Sequence, residues 1–167
     1  THTYLFAEDI IRQPAKPNDF PTTWNGHPAD YEMDPEVVNN PVYKGRVAGA
    51  LKSIPSLSLV LNRDDFFKTG QGIYPKGEGV EKATSVELIY PKTQESKQAD
   101  GSVQIVGGSS TGRWKVDKLS MRLKFTSRFG DTRFRHPLFG EDAMSQFDTL
   151  VVDARLNQVW SYGGGSG

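Results

Sequence analysis

The sequence predicts a mainly β, α+β domain: an antiparallel sheet of about five strands, wrapped by an irregular proline-rich N-terminal arm with one or two short helices. Two observations carry this reading. Residues 12–46 hold Pro14, Pro17, Pro21, Pro28, Pro35 and Pro41, which break any helical period. From Ser56 onward, by contrast, stretches of strand length alternate apolar and polar residues. With 167 residues, 36% apolar and 24% charged, the chain has material for one modest core. The expected organisation is a single domain over residues 1–162, divided into an arm (1–50) and a sheet (51–162). A flexible Gly/Ser tail follows over 163–167.

In chain order, Asp34-Pro35-Glu36 reads as a helix N-cap followed by proline at the first helical position, so a short helix is expected up to Asn39 or Asn40, where Pro41 stops it. Leu57, Leu59 and Leu61 alternate with Ser56, Ser58 and Val60, the period of a strand with one deeply buried face. Asn62-Arg63-Asp64-Asp65-Phe66-Phe67 can start a single helical turn, because Asn or Asp accepts from the exposed backbone amides there. Gly70, Gly72, Pro75, Gly77 and Gly79 read as loop. Thr84 to Tyr90 is a strand ended by Pro91, and Lys92 to Gly101 a polar turn. Ser102–Val106, Leu119–Phe125 and Thr149–Asp153 complete the set of strands.

Composition limits the function classes. The longest apolar runs fall far short of the roughly 20 residues that a membrane helix needs. The absence of cysteine excludes disulfides, Cys-based zinc sites and a thiol nucleophile. The N-terminus lacks the basic and apolar pattern of a signal peptide, so localisation is not read from it. Formal net charge is +0, yet the chain is polarised. Residues 1–42 carry seven acids against Arg12 and Lys16, and residues 101–135 carry eight bases against Asp117 and Asp131. Either the two segments pair with each other, or the basic one makes a local anion site. The neutral total argues against nucleic acid as a partner.

The segment from Val103 to Phe125 is the richest in chemistry. Gly107, Gly108, Ser109 and Ser110 follow a strand and can offer backbone amides and hydroxyls to an anion, with Lys118 and Arg122 supplying charge from the next strand. The alternative is a glycine-rich hairpin with a basic solvent face. It is not a Walker loop, because the Gly-Lys-Ser/Thr ending is missing. Gly108-Ser109-Ser110-Thr111-Gly112 also matches Gly-x-Ser-x-Gly, which suggests a serine esterase with Ser110 as nucleophile, His136 as base and Asp131, Asp148 or Asp153 orienting it. The other histidines are His2 and His27. Against this reading, Arg113 to Asp117 leads into a strand, whereas that motif opens a helix.

Other candidates have simple structural explanations. Asn62, Asp64 and Asp65, and the pair Asp30 and Asp34, are hard oxygen donors, but neither set has EF-hand spacing and capping explains them. Trp24, Trp114, Trp160, Tyr31, Tyr43, Tyr74 and Tyr162 form either a stacking platform or core filling.

Blocks spread along the chain add a family resemblance. Phe20-Pro-Thr-Thr-Trp24, Asp30-Tyr-Glu-Met-Asp-Pro-Glu-Val-Val-Asn39, Leu51 to Ser58, Gly72-Ile-Tyr74, Ser85 to Ile89, Val106-Gly-Gly-Ser-Ser110, Pro137-Leu-Phe139, Phe147-Asp-Thr-Leu150 and Asn157-Gln-Val-Trp-Ser161 occur in order. Together they resemble the extracellular bacterial proteins that carry a spore-coat CotH kinase-like domain, over residues 1–163. The resemblance implies a secreted or cell-surface protein of atypical kinase fold, of which this chain is the N-terminal arm and most of the N-lobe sheet. It also implies that Lys118 and Arg122 face nucleotide phosphates, and so makes ATP and magnesium the expected ligands if any are bound. Val106 stands where the family usually has Arg or Gln, and Thr111 where it has Arg. The family's catalytic and metal-binding acids follow the Asn157–Trp160 block, where this chain ends, so a binding or structural module without complete kinase machinery and without a required cofactor is expected. The remaining expectation is surface adhesion or self-association into a homo-oligomer, through an apolar patch left for the missing C-terminal lobe or through an open sheet edge.

Overall fold

The computed structural model describes residues 2–24, 26–111 and 119–154. Their centre is a five-stranded antiparallel sheet in the order β3-β4-β5-β6-β9, with β3 Ser56–Val60, β4 Glu81–Tyr90, β5 Glu95–Ile105, β6 Met121–Lys124 and β9 Thr149–Val152. Two short ribbons flank it: β1 Thr23–Trp24 with β2 His27–Pro28, and β7 Phe134–Arg135 with β8 Gln146–Phe147. The mainly β expectation holds.

Helices are short but more numerous than expected. They are α1 Ala7–Ile11, α2 Pro35–Val38, α3 Val47–Leu51, α4 Arg63–Phe67 and α5 Ile73–Lys76. The Asp34 cap read from the sequence forms, accepting from the Glu36 amide, and among the Asn and Asp residues at the start of α4 it is Asn62 that caps, accepting from the Asp64 amide, each at 2.8 Å. α5 lies inside the glycine-rich stretch read as loop, and its Ile73, Tyr74 and Pro75 are buried. Burial of that turn, not local propensity, makes it helical. No helix among the described residues is long and apolar enough to cross a membrane.

The pleat sorts the sheet residues onto two faces. Leu59, Val86, Leu88, Ala99, Val103, Ile105, Leu123 and Leu150 belong to the core face. An aromatic layer packs on it, in which Trp24, Tyr31, Phe66, Phe67 and Tyr74 have ring centroids 4.5–6.1 Å apart. Trp24 and Tyr74 are buried and the Trp24 indole N–H donates to the Tyr31 hydroxyl at 3.0 Å, so these rings fill the core instead of forming a platform. Tyr43 is exposed, and Trp114, Trp160 and Tyr162 lie outside the described residues.

The polar turn expected over Lys92–Gly101 is a correction. Gln94, in the left-handed region at φ 61°, donates its amide to the Tyr90 carbonyl, and β5 begins at Glu95. Residues 95–101 are polar in sequence yet pair with β4 in register from Tyr90↔Glu95 to Thr84↔Gly101. Ser96, Gln98 and Asp100 stand on the second face, where polar side chains cost little, and the ladder satisfies the backbone. Gly101 is where β5 meets β6 closely: a Cβ there would lie 2.6 Å from the Lys124 carbonyl oxygen and 2.9 Å from the Phe125 ring.

Candidate anion site

β5 ends at the buried Ile105, and the Val106 amide prolongs the ladder by donating to the Ser120 carbonyl at 3.0 Å. The chain then turns sharply through Gly107 (φ 136°) and Gly108 (φ 54°) into a single 3-10 turn, Gly108–Thr111. Positive φ is inexpensive for glycine alone, so this pair is what lets the backbone turn its amides outward. Both amides converge on one oxygen. Gly107 N–H donates to Glu78 Oε1 at 3.0 Å and Gly108 N–H to the same oxygen at 2.7 Å. This is a two-amide nest with an anionic oxygen in it. The Thr111 hydroxyl donates to the Gly108 carbonyl at 2.7 Å and braces the turn.

Glu78 sits between Gly77 (φ 77°) and Gly79 (φ 86°), just after α5 and before β4. It was not singled out by sequence reasoning; the only signal was the Gly-Glu-Gly triplet, which reads as ordinary loop.

The next strand supports the site. The Leu119 amide donates to the buried Tyr74 hydroxyl at 3.2 Å, and the Ser120 hydroxyl donates to Asp153 Oδ1 at 2.8 Å while accepting from the Ala154 amide at 2.9 Å. Asp153 therefore has a structural task in holding β9 to β6. Arg122 lies in β6 opposite Gln104 of β5 and Val151 of β9, on the second face of the sheet. Gln104 precedes Gly107 by three residues, about 10 Å at strand rise, so Arg122 belongs to the same end of the sheet as the nest. Lys118 lies outside the described residues, and of Ser109 and Ser110 only the backbone turn is described.

The structure does not bring the hydrolase residues together. His136 Nε2 is hydrogen-bonded to the Tyr90 hydroxyl at 2.7 Å, at the end of the sheet where Tyr90 pairs with Glu95. Ten residues of β5 separate Glu95 from Ile105, roughly 33 Å at strand rise, and the Ser110 turn lies beyond Ile105. Asp131 lies midway: its carboxylate accepts the Asp100 amide at 2.8 Å and its own amide donates to the Asp100 carbonyl at 2.9 Å. It continues the edge of β5 where β6 has ended, which is a backbone-satisfying role. Asp148 serves Phe125 through its backbone carbonyl at 2.8 Å.

Among the described residues, charge pairing between the two polarised segments is also not seen. Among the described residues, no ion pair joins an acid of residues 1–42 to Arg122, Lys124, Arg128, Arg133 or Arg135. Asp65 instead pairs with Lys82 at 2.7 Å, and Asp64 with Arg63 and Lys68. Among the described residues no three His, Asp or Glu side chains gather where they could hold a metal ion.

Compared with known proteins, the chain matches no family model, no curated protein and no solved structure.

Proposed function

We propose that this chain is a CotH-like extracellular binding module whose Gly107–Thr111 turn takes a phosphate-class anion, without performing phosphoryl transfer by itself. The observation that carries the reading is the convergence of the Gly107 and Gly108 amides on a single anionic oxygen. Backbone donors in this arrangement recognise any compact oxyanion and need no side-chain specificity. Arg122, on the adjoining strand at the same end of the sheet, supplies charge that favours phosphate over carboxylate, and the family resemblance implies Lys118 as a second cation. The spaced blocks that resemble the CotH-like proteins support the extracellular assignment and the nucleotide as the first ligand to try.

Thermal melting with ATP, and separately with inorganic tripolyphosphate, tests it. A ligand present at about 100 Kd adds about 2.7 kcal/mol, roughly 5–10 °C for a chain of this length. The shift is expected in the wild type and in Ser110→Ala, and lost in the double variant Lys118→Ala/Arg122→Ala. Absence of any shift with either anion at millimolar concentration refutes the reading.

A further inference from the structure

We infer that Glu78 is a built-in competitor for this anion site, a carboxylate latch that an incoming phosphate must displace. The inference rests on the phosphate reading above. Its basis is that the nest already holds an anionic oxygen, and that oxygen belongs to the chain itself.

Three features make Glu78 displaceable instead of structural. It is exposed, and its carboxylate makes no ion pair among the described residues, so its polar partners there are the two glycine amides. It is mounted between two glycines, Gly77 and Gly79, both at positive φ with open space where a Cβ would stand. Such a segment can rotate the carboxylate away without moving its neighbours. Those neighbours are fixed: Ile73 and Tyr74 of α5 are buried on one side, and β4 is hydrogen-bonded into the sheet from Glu81 on the other. At Gly108 of the nest, too, nothing lies within 4 Å of where a Cβ would stand.

The latch has a chemical consequence. A tethered carboxylate competes as though present at millimolar concentration. A free monocarboxylate gains only the same two hydrogen bonds and cannot win at lower concentration. A polyphosphate gains the same two plus the longer-range attraction of Arg122, which lies at the same end of the sheet, and therefore can. Glu78 thus turns a permissive backbone nest into one selective for multiply charged phosphates, while keeping the turn in its binding shape when empty of ligand.

Titration calorimetry of wild type, Glu78→Ala and Glu78→Gln with tripolyphosphate, and with acetate as the single-charge control, decides the matter. Both variants are expected to bind tripolyphosphate about tenfold more tightly than wild type, the low end of what hydrogen bonds to a charged group contribute. Acetate is expected to bind measurably better to Glu78→Ala than to wild type. In amide NMR without ligand, the Gly107 and Gly108 proton resonances are expected to move upfield in Glu78→Ala while the resonances of β4 and β5 stay in place, which also reports that the variant is folded. Equal or weaker tripolyphosphate binding by both variants, with wild type still binding, overturns the latch and leaves the phosphate reading standing. Failure of all three proteins to bind overturns both.

Discussion

Replacing Glu87 should detach the N-terminal segment from the sheet and make the domain's acid sensitivity visible. Glu87 stands on the second face of β4 with its side chain 4% exposed, and it is held against His2 and Thr3. The Thr3 amide donates to Glu87 Oε2 at 2.7 Å, His2 Nδ1 lies 3.5 Å from Oε1, and the Thr3 hydroxyl is hydrogen-bonded to Ser58 of β3 at 2.8 Å. Burial pushes the Glu87 pKa up, but hydrogen bonds from the Thr3 amide, Ser96, the Thr3 hydroxyl and His2 outweigh it, so the value lies below the usual 4.5. Because the carboxylate is held chiefly by His2 and Thr3, and the His2 side chain is itself 81% exposed, the low-to-middle range for a hydrogen bond to a charged group applies, about 1.5–2 kcal/mol lost in Glu87→Ala. For a chain of this length that is a fall in Tm of roughly 3–8 °C at pH 7. The sign follows from the lowered pKa: the stabilisation is complete above the unfolded-state value near 4.5 and disappears as pH falls through the lower folded-state value. Urea melts of wild type and Glu87→Gln at pH 7 and at pH 3 are the assay. The gap between the two proteins should be open at pH 7 and narrower at pH 3. A gap that is the same at both pH values, or absent at pH 7, refutes the argument that the ionised carboxylate holds His2 and Thr3 to the sheet.

Gly101→Ala should destabilise by about 1–3 kcal/mol, because the new methyl would have to share space with the Lys124 carbonyl and the Phe125 ring; an unchanged urea midpoint would mean that β5 and β6 separate freely. Ser110→Ala and His136→Ala should each turn over a short-chain p-nitrophenyl ester no more slowly than wild type, since His136 is engaged by Tyr90 at the opposite end of β5; a rate lost in both variants would show that the two residues meet in solution.

The strands after Ser56 were legible because one face of each had to be apolar, and a period of two is visible whatever the neighbours are. The caps at Asp34 and at the start of α4 were legible because the acceptor and the amide it serves are two residues apart. The anion site was legible in part: the glycine pair announced itself, whereas Glu78, which fills it, lies 29 residues from Gly107. Nothing local to Glu78 distinguishes it from any other acid in a loop.

Sequence alone therefore determined the sheet, its core face and the position of the turn at its end, since these depend on side-chain period and backbone freedom that each residue carries with it. Tertiary structure decided the rest. It extended β5 through the polar residues 95–101 by offering their backbone a partner strand, and made a helix of residues 73–76 by burying Ile73 and Tyr74. It set His136 and Ser110 at opposite ends of the sheet and placed one carboxylate on two glycine amides. In each case the deciding energy came from a contact between residues far apart in the chain, which no local pattern encodes.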